Sequence, residues 1–394
     1  MSPKVQFAQY QPKERPVEET EDFDLAIKIG GDDTFVPMGI PSYGGGTEND
    51  ILKFEVEVKE HFIDQLKIEV MREGTVVYTK EFTQTLPVGS YTIPWDGFDN
   101  NGVYDSSGFV DGTFKIKATG YLSRKQRTVD SEEITFEYDE VEWVDVKIDK
   151  NNKQVDVTLR VNLKDGGAKG LNRTGRIPQS GLVPNHSPIT TNIRSFEDLE
   201  KLALEGINYH WGRNKGHQIA MYVEIKGERY EICMNAINTQ ENAMDDVDLI
   251  FNTNRKWMRS GNPGTVEGLI SLIGNLISRE AVCYNGGYIL HSEGWGYRNL
   301  ANEDIEFKFT TAHEIGHTIL KAYGNTTYSY GHKGSVNVIF QNRKSSAPKY
   351  ETLKEIDIMP YYPTDPPLSL YGSYVASEKD SISLIWLTKL NIKQ

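Results

Sequence analysis

Only two cysteines, Cys233 and Cys283, occur in 394 residues, and neither belongs to a C-x-x-C pair. The C-x-x-C motifs of redox and zinc-ribbon sites are thereby absent. What remains is either one disulfide or two buried thiols, the commoner state of isolated cysteines. Long apolar runs are missing as well: no stretch of about 18 apolar residues occurs, so no transmembrane helix is expected. Residues 1–22 are rich in charge and proline and lack an apolar h-region. They read as a flexible leader and not as a Sec-type signal peptide. Positive charge is in deficit, with 43 Lys and Arg against 56 Asp and Glu for a net charge of −13. That balance disfavours nucleic acid and anionic membrane as partners. There are no internal repeats.

What is present suits a chain with ample core. Hydrophobic residues make up 38% and charged residues 25%, ordinary for globular domains, and the length implies two or three of them. The most informative stretch is His313-Glu314-Ile315-Gly316-His317. Residues four apart on an α-helix lie one above the other, about 6 Å between Cβ atoms. Two imidazoles so placed can close on one Zn2+ at about 2.0–2.1 Å. Glu314 is rotated roughly 100° from His313, so it misses the metal and reaches a water activated by it, whose proton it can take. This is the H-E-x-x-H logic of metallopeptidases. The flanks predict a helix, with Asn302 as N-cap and Glu303, Asp304 and Glu306 in the first turn. Ile305, Phe309, Ala312, Ile319 and Leu320 follow at helical spacing, Lys321 falls in the last turn, and Gly324 is a left-handed stop. Gly316 inside that helix costs about 1 kcal/mol relative to Ala, tolerable where another backbone passes close by.

A catalytic zinc normally takes a third protein ligand. Downstream come Tyr328-Ser329-Tyr330-Gly331-His332-Lys333-Gly334, which suits a sharply returning loop, and then Asp357-Ile358-Met359-Pro360-Tyr361-Tyr362. With these segments the chain resembles the metzincin superfamily of zinc endopeptidases. In that clan a turn carrying a Met lies beneath the zinc, and in astacin-like members a Tyr two residues later points at the metal. The resemblance implies those roles for Met359 and Tyr361. It further implies one catalytic Zn2+ held by His313, His317 and His332, with Glu314 as general base and the Tyr361 hydroxyl supporting the oxyanion. The chain departs from H-E-x-x-H-x-x-G-x-x-H: Leu320 stands at the Gly and Tyr323 at the third His. His332 therefore needs a longer connection. A gluzincin-like alternative takes Glu351 or Glu355, on one face of a short helix over 350–355, as third ligand.

Before the motif, residues 195–209 predict an amphipathic helix with Ser195 as N-cap, and 265–278 predict a second. Strands are expected at 218–224 and 230–234 around a Lys226-Gly227 turn, and at 247–251. A strand at 288–292 is cast as the sheet edge that grips an extended substrate, with His291 as a reserve substrate contact. The first half has short alternating strands at 53–58, 65–70, 76–82, 113–118 and 133–138, which argue a β-sandwich. Pro94-Trp95-Asp96-Gly97-Phe98-Asp99-Asn100-Asn101-Gly102, followed by Asp111-Gly112-Thr113-Phe114, resembles the Ig-like domain of flagellar hook-assembly scaffolds, a likeness of fold. Asp96, Asp99 and Asn101 miss the EF-hand spacing, so a turn held by Asx hydrogen bonds is expected there and not a calcium site. Residues 141–165 read as a hairpin around Asn151-Asn152, and 166–187 as a long loop.

The expected organisation is multidomain: a leader over 1–22, an all-β Ig-like sandwich over 23–140, and an α+β zincin-like metallopeptidase domain over 141–394. The expected function is zinc-dependent hydrolysis of peptide bonds, with a protein or peptide as substrate. The N-terminal domain would dock on a secretion apparatus or a cell surface. An acidic chain without a Sec-type signal also resembles bacterial type VI secretion effectors, which implies a secreted toxin acting on protein or peptidoglycan peptides; otherwise it is cytoplasmic. The competing class is a noncatalytic, zinc-stabilised binding or structural protein, and the intact Glu314 argues against it.

Overall fold

Apolar residues recur with period two over much of the first 140 residues, and each such run forms a strand. The computed structural model describes residues 22–172, 177, 186–253, 260, 280–291, 294–331, 333, 345, 348–362, 364 and 366–393. The chain is rich in β-structure, with several sheets and a few helices. The predicted leader and the predicted helix over 265–278 lie outside the described residues.

Two compact units are formed. The first comprises residues 22–30, Lys53–Ile93 and Lys115–Glu132. One sheet runs in the order Asp24–Gly30, Leu52–Lys59, Gly89–Trp95, and a second in the order Thr75–Phe82, Gln65–Arg72, Phe114–Leu122, Lys125–Asp130. Leu52, Phe54, Val56 and Val58 alternate inward on the first, and Leu66, Ile68 and Val70 on the second. Gly120 marks where the layers meet: a Cβ there would stand 2.9 Å from the Phe23 ring and 3.1 Å from Leu25.

The second unit holds Gly31–Leu52, Pro94–Phe114 and everything from Glu133 on. The chain thus divides at several points and not once near residue 140. Residues 94–114 and 133–138, which sequence assigns to the N-terminal sandwich, pack in this second unit. These segments hold one another through aromatic rings, with Phe109 stacked on Trp95 at 5.7 Å and on Phe114 at 4.8 Å and edge-on to Phe136 at 5.0 Å, and Val103–Asp105 pairs with the strand at 144–149. Thr135–Tyr138 pairs antiparallel with the C-terminal strand Leu390–Lys393. In the Asp96–Gly102 loop, Asp99 Oδ1 accepts the backbone N–H of Asn101 and of Val103, both at 2.8 Å, while Asp96 pairs with Lys150 at 2.6 Å. The Asp99 carboxylate is spent on the turn itself, as the Asx reading expects, whereas Asp96 reaches Lys150 outside it.

The main sheet is built on the strand Gln154–Lys169, whose hairpin partner is Val144–Asp149. Its first half pairs parallel with Glu228–Asn238 and its second half with Asp246–Asn252, which in turn pairs with Ala281–Asn285. The helices are α1 (Ser106–Val110), α2 (Phe196–Trp211), α3 (Leu300–Tyr330) and α4 (Glu378–Trp386). Ser195 caps α2 in a capping box with Asp198, satisfying two amides that the helix itself leaves unpaired. α2 packs directly on α3 at Gly206, where any Cβ would lie 2.2 Å from the Lys308 carbonyl oxygen. Among the described residues no helix is long and apolar enough to cross a membrane.

Candidate metal centre

The N-cap of α3 stands three residues before the expected one. Asn299, extended at φ −72°, ψ 131°, accepts the Ala301 N–H, so Asn302 and Glu303 lie inside the helix. Glu303 is there to be buried: its carboxylate accepts from the Asn285 amide at 2.7 Å and from Arg298 at 3.1 Å. The expected stop at Gly324 is a kink. Gly324 and Asn325 leave helical geometry, with Asn325 at φ +66°, and one further helical stretch runs to Tyr330.

His313 and His317 sit one turn apart on the straight part of α3, their ring centroids 4.9 Å apart and their planes nearly perpendicular. With Glu314 they are largely shielded, at 7%, 9% and 3% exposure for His313, Glu314 and His317. Each imidazole is oriented through Nδ1. That of His313 lies 2.8 Å from the Ile358 carbonyl, and that of His317 lies 3.1 Å from the Ser329 carbonyl. A carbonyl can only accept, so both Nδ1 atoms carry a proton, which in the neutral ring leaves the lone pair on Nε2. Metal-binding histidines are held in this way, with the second nitrogen donating to a carbonyl or carboxylate. The Ser329 hydroxyl returns a bond to the carbonyl of His317 at 2.6 Å, so the segment beyond the kink braces the second histidine.

Beneath the pair lies the 357–362 turn. A Cβ on Gly316 would stand 2.7 Å from Met359 Sδ and 2.9 Å from the Trp211 ring. The close approach expected at Gly316 therefore comes from two side chains and not from a passing backbone. Trp211, fully buried at the end of α2, donates its indole N–H to the Ala312 carbonyl at 3.0 Å. Tyr361 stands beside the first histidine: its ring is almost parallel to that of His313, centroids 6.0 Å apart.

No family model and no curated protein matches the chain. Twelve solved chains match. One is FlgD from P. aeruginosa, similar at 21% identity with a TM-score of 0.18, covering 26% of this chain and 70% of that one. Another is an engineered protein at 17% identity and a TM-score of 0.17, covering 27% of this chain and 19% of that one. Likeness at that level says nothing of what this chain does.

His332 lies outside the described residues, and among the described residues no three His, Cys, Asp or Glu side chains gather as a metal site. The carboxylates weighed against His332 are engaged elsewhere. Residues 351–355 form turns and not a helix. Glu351 is exposed and pairs with Lys354 at 3.0 Å. Glu355 takes both oxygens to the guanidinium of the buried Arg213, at 2.7 and 2.8 Å. The other buried histidines are structural. Burial pushes His210 down to about 4, and its Nδ1–H donates to Tyr374 at 2.8 Å. His217 accepts the Ala220 amide at 3.0 Å and stacks on Tyr209.

The strand cast as a substrate edge is Gly287–His291, paired in a hairpin with Gly294–Arg298. On its other side the Asn172 side chain takes both backbone groups of Tyr288, at 2.8 and 3.2 Å, so no free edge exists at that residue. The side chain of His291 lies outside the described residues. No disulfide joins Cys233 and Cys283. Sequence reasoning missed the roles of Trp211 and Ser329, neither of which has a local signature.

Proposed function

We propose that the chain is a zinc-dependent hydrolase of peptide or related amide bonds, with a zincin-like catalytic domain. The observation that carries this reading is the pair of histidines one turn apart, both with Nδ1 protonated and held, above Met359. The donor set fits zinc, which takes neutral imidazole nitrogens. His313 and His317 would hold it, with His332 as third ligand by its place in the sequence. When bound, zinc lowers the pKa of water and polarises a carbonyl oxygen.

The chain's own residues then do the following. Glu314 takes the proton of the attacking water as its oxygen bonds to the carbonyl carbon. It returns that proton to the amine nitrogen as the C–N bond breaks. The Tyr361 hydroxyl supports the negative charge that builds on the carbonyl oxygen. The substrate is a protein or peptide, including peptidoglycan peptides, and the two-sheet unit serves as an Ig-like docking module, in keeping with a secreted effector. The decisive test is Glu314→Gln assayed on an unstructured protein substrate. Turnover is lost while bound zinc, measured by atomic absorption, stays at one per chain. Undiminished hydrolysis by that variant would refute the general-base role.

A further inference from the structure

Gly30 and Lys53 pair across two strands of the first unit, yet the residues between them, Gly31–Leu52, belong to the second. They form a strap held on α3 and α4. The Tyr323 hydroxyl donates to the Pro41 carbonyl at 3.1 Å, and the Trp386 indole N–H donates to Glu48 at 3.2 Å. Met38 is buried in the strap at φ +59°, a left-handed conformation that a non-glycine residue keeps only where its surroundings impose it.

Tyr43 stands where the strap crosses the kink of α3, and its ring touches both limbs. It meets Tyr323 edge-on at 5.9 Å before the break and lies 4.5 Å from Tyr328 after it. Gly324 fits under it because a Cβ there would stand 2.8 Å from Tyr43 Cδ2 and 2.6 Å from Tyr328 Cδ1. Lys379, in the first turn of α4, fastens the strap. Its ammonium lies 4.4 Å from the centre of the Tyr43 ring and donates to the Tyr43 carbonyl at 3.4 Å.

What the ring pins is strained. Asn325 has φ +66° and ψ 178°, a combination almost confined to glycine. Without its surroundings that backbone would relax, and the residues beyond it would swing away. Among them is Ser329, fully buried, whose carbonyl and hydroxyl oxygens lie 3.1 and 3.2 Å from His317 Nδ1.

We propose that Tyr43 is a positioning residue: by pinning the two limbs of the α3 kink it keeps Ser329 on His317, and so fixes which nitrogen of that imidazole carries the proton. An imidazole without that acceptor shares its proton between both nitrogens, and a ring protonated at Nε2 cannot present that atom to a metal. The consequence for metal binding rests on the zinc-hydrolase reading above.

The test is the two-bond proton–nitrogen NMR spectrum of the zinc-free full chain, labelled at its eight histidines. It is recorded at about pH 8.5, where an imidazole of ordinary pKa, about 6.5, is neutral, and His317→Gln assigns the signal. In the wild type His317 is the Nδ1–H tautomer. Tyr43→Ala moves it toward the mixed tautomers of free histidine, while His313, held by the Ile358 carbonyl, keeps its own. Tyr43→Phe retains the wild-type spectrum, because the ring and not the hydroxyl makes these contacts. A merely structural role lowers Tm and leaves the tautomer untouched. Zinc affinity, by competition with a chromophoric chelator, falls on the order of tenfold in Tyr43→Ala and holds in Tyr43→Phe. Tyr43 is 39% exposed, so its truncation opens no cavity in the core. Should the variant still not fold, Lys379→Met, which unfastens the Tyr43 carbonyl, decides by the same criteria. An unchanged His317 tautomer, or an equal shift at His313, overturns the strap's role while the hydrolase reading stands. A wild-type chain that binds no zinc overturns the hydrolase reading, and the tautomer still decides the strap.

Discussion

Replacing Gly316 by alanine adds one methyl group where α3, Trp211 and Met359 converge. On helix propensity alone the change would stabilise by about 1 kcal/mol. The added Cβ, however, stands 2.7 Å from Met359 Sδ and 2.9 Å from Trp211 Cζ2, where ordinary contact begins at 3.4 Å. Overpacking of a filled core costs about 1–3 kcal/mol. Trp211 is poorly placed to yield, being fully buried with its indole N–H bonded to Ala312. Met359 is the flexible partner and moves. The expected net loss is therefore up to about 2 kcal/mol by urea unfolding of the zinc-free chain. The functional loss is larger, since Met359 drags the Ile358 carbonyl that orients His313. On the zinc reading proposed above, zinc affinity falls on the order of tenfold by chelator competition. Gly206→Ala is the comparison: its Cβ would meet backbone, the Lys308 carbonyl at 2.2 Å, which no side-chain rotation relieves, so its destabilisation is the greater. A Gly316→Ala protein that is more stable by the propensity gain and binds zinc as before would sink this account of the turn.

Three further outcomes are expected. Burial and the neighbouring Glu306 push Glu303 up to about 8 from an ordinary 4.5. The fold thus favours the neutral acid, and this group's contribution is lost as the pH rises from about 4.5 to about 8. Tm measured across that window should shift in favour of Glu303→Gln over the wild type as pH increases; a constant difference counts against the assignment. Trp211→Phe, which removes the donor to Ala312 and part of the contact under Gly316, should cost on the order of 2 kcal/mol in urea unfolding, and a neutral result refutes its bracing role. Glu355→Gln should leave zinc affinity unchanged, since that carboxylate belongs to Arg213, while His332→Ala abolishes tight binding. The reverse pattern would establish the gluzincin-like ligand set.

Much of the local structure was legible. The Ser195–Asp198 capping box, the hairpin turn after Asp149, and the strands at 53–58, 65–70 and 76–82 all depend on residues a few positions apart. The Asp99 turn is of the same kind. Errors came where a distant partner outbid a local preference. Asn302 is a good cap, yet α3 is capped by Asn299 and starts at Leu300, with Glu303 inside the helix and bonded to the Asn285 amide and Arg298. Residues 133–138 read as one more sandwich strand, yet their pairing partner is the last strand of the chain.

The sequence by itself determined that His313 and His317 share one helical face, because a rise of about 1.5 Å and 3.6 residues per turn leave no alternative. It also fixed which residues alternate into the sheets. Only the tertiary structure decided what lies under that face, which carbonyls set each imidazole, and where Glu355 spends its charge. Arg213 and Glu355 are 142 residues apart, and Trp211 and Ala312 are 101 apart. Propensity and periodicity act over one or two turns of chain, whereas such contacts exist only once α2, α3 and the 357–362 turn have buried their apolar surfaces against one another.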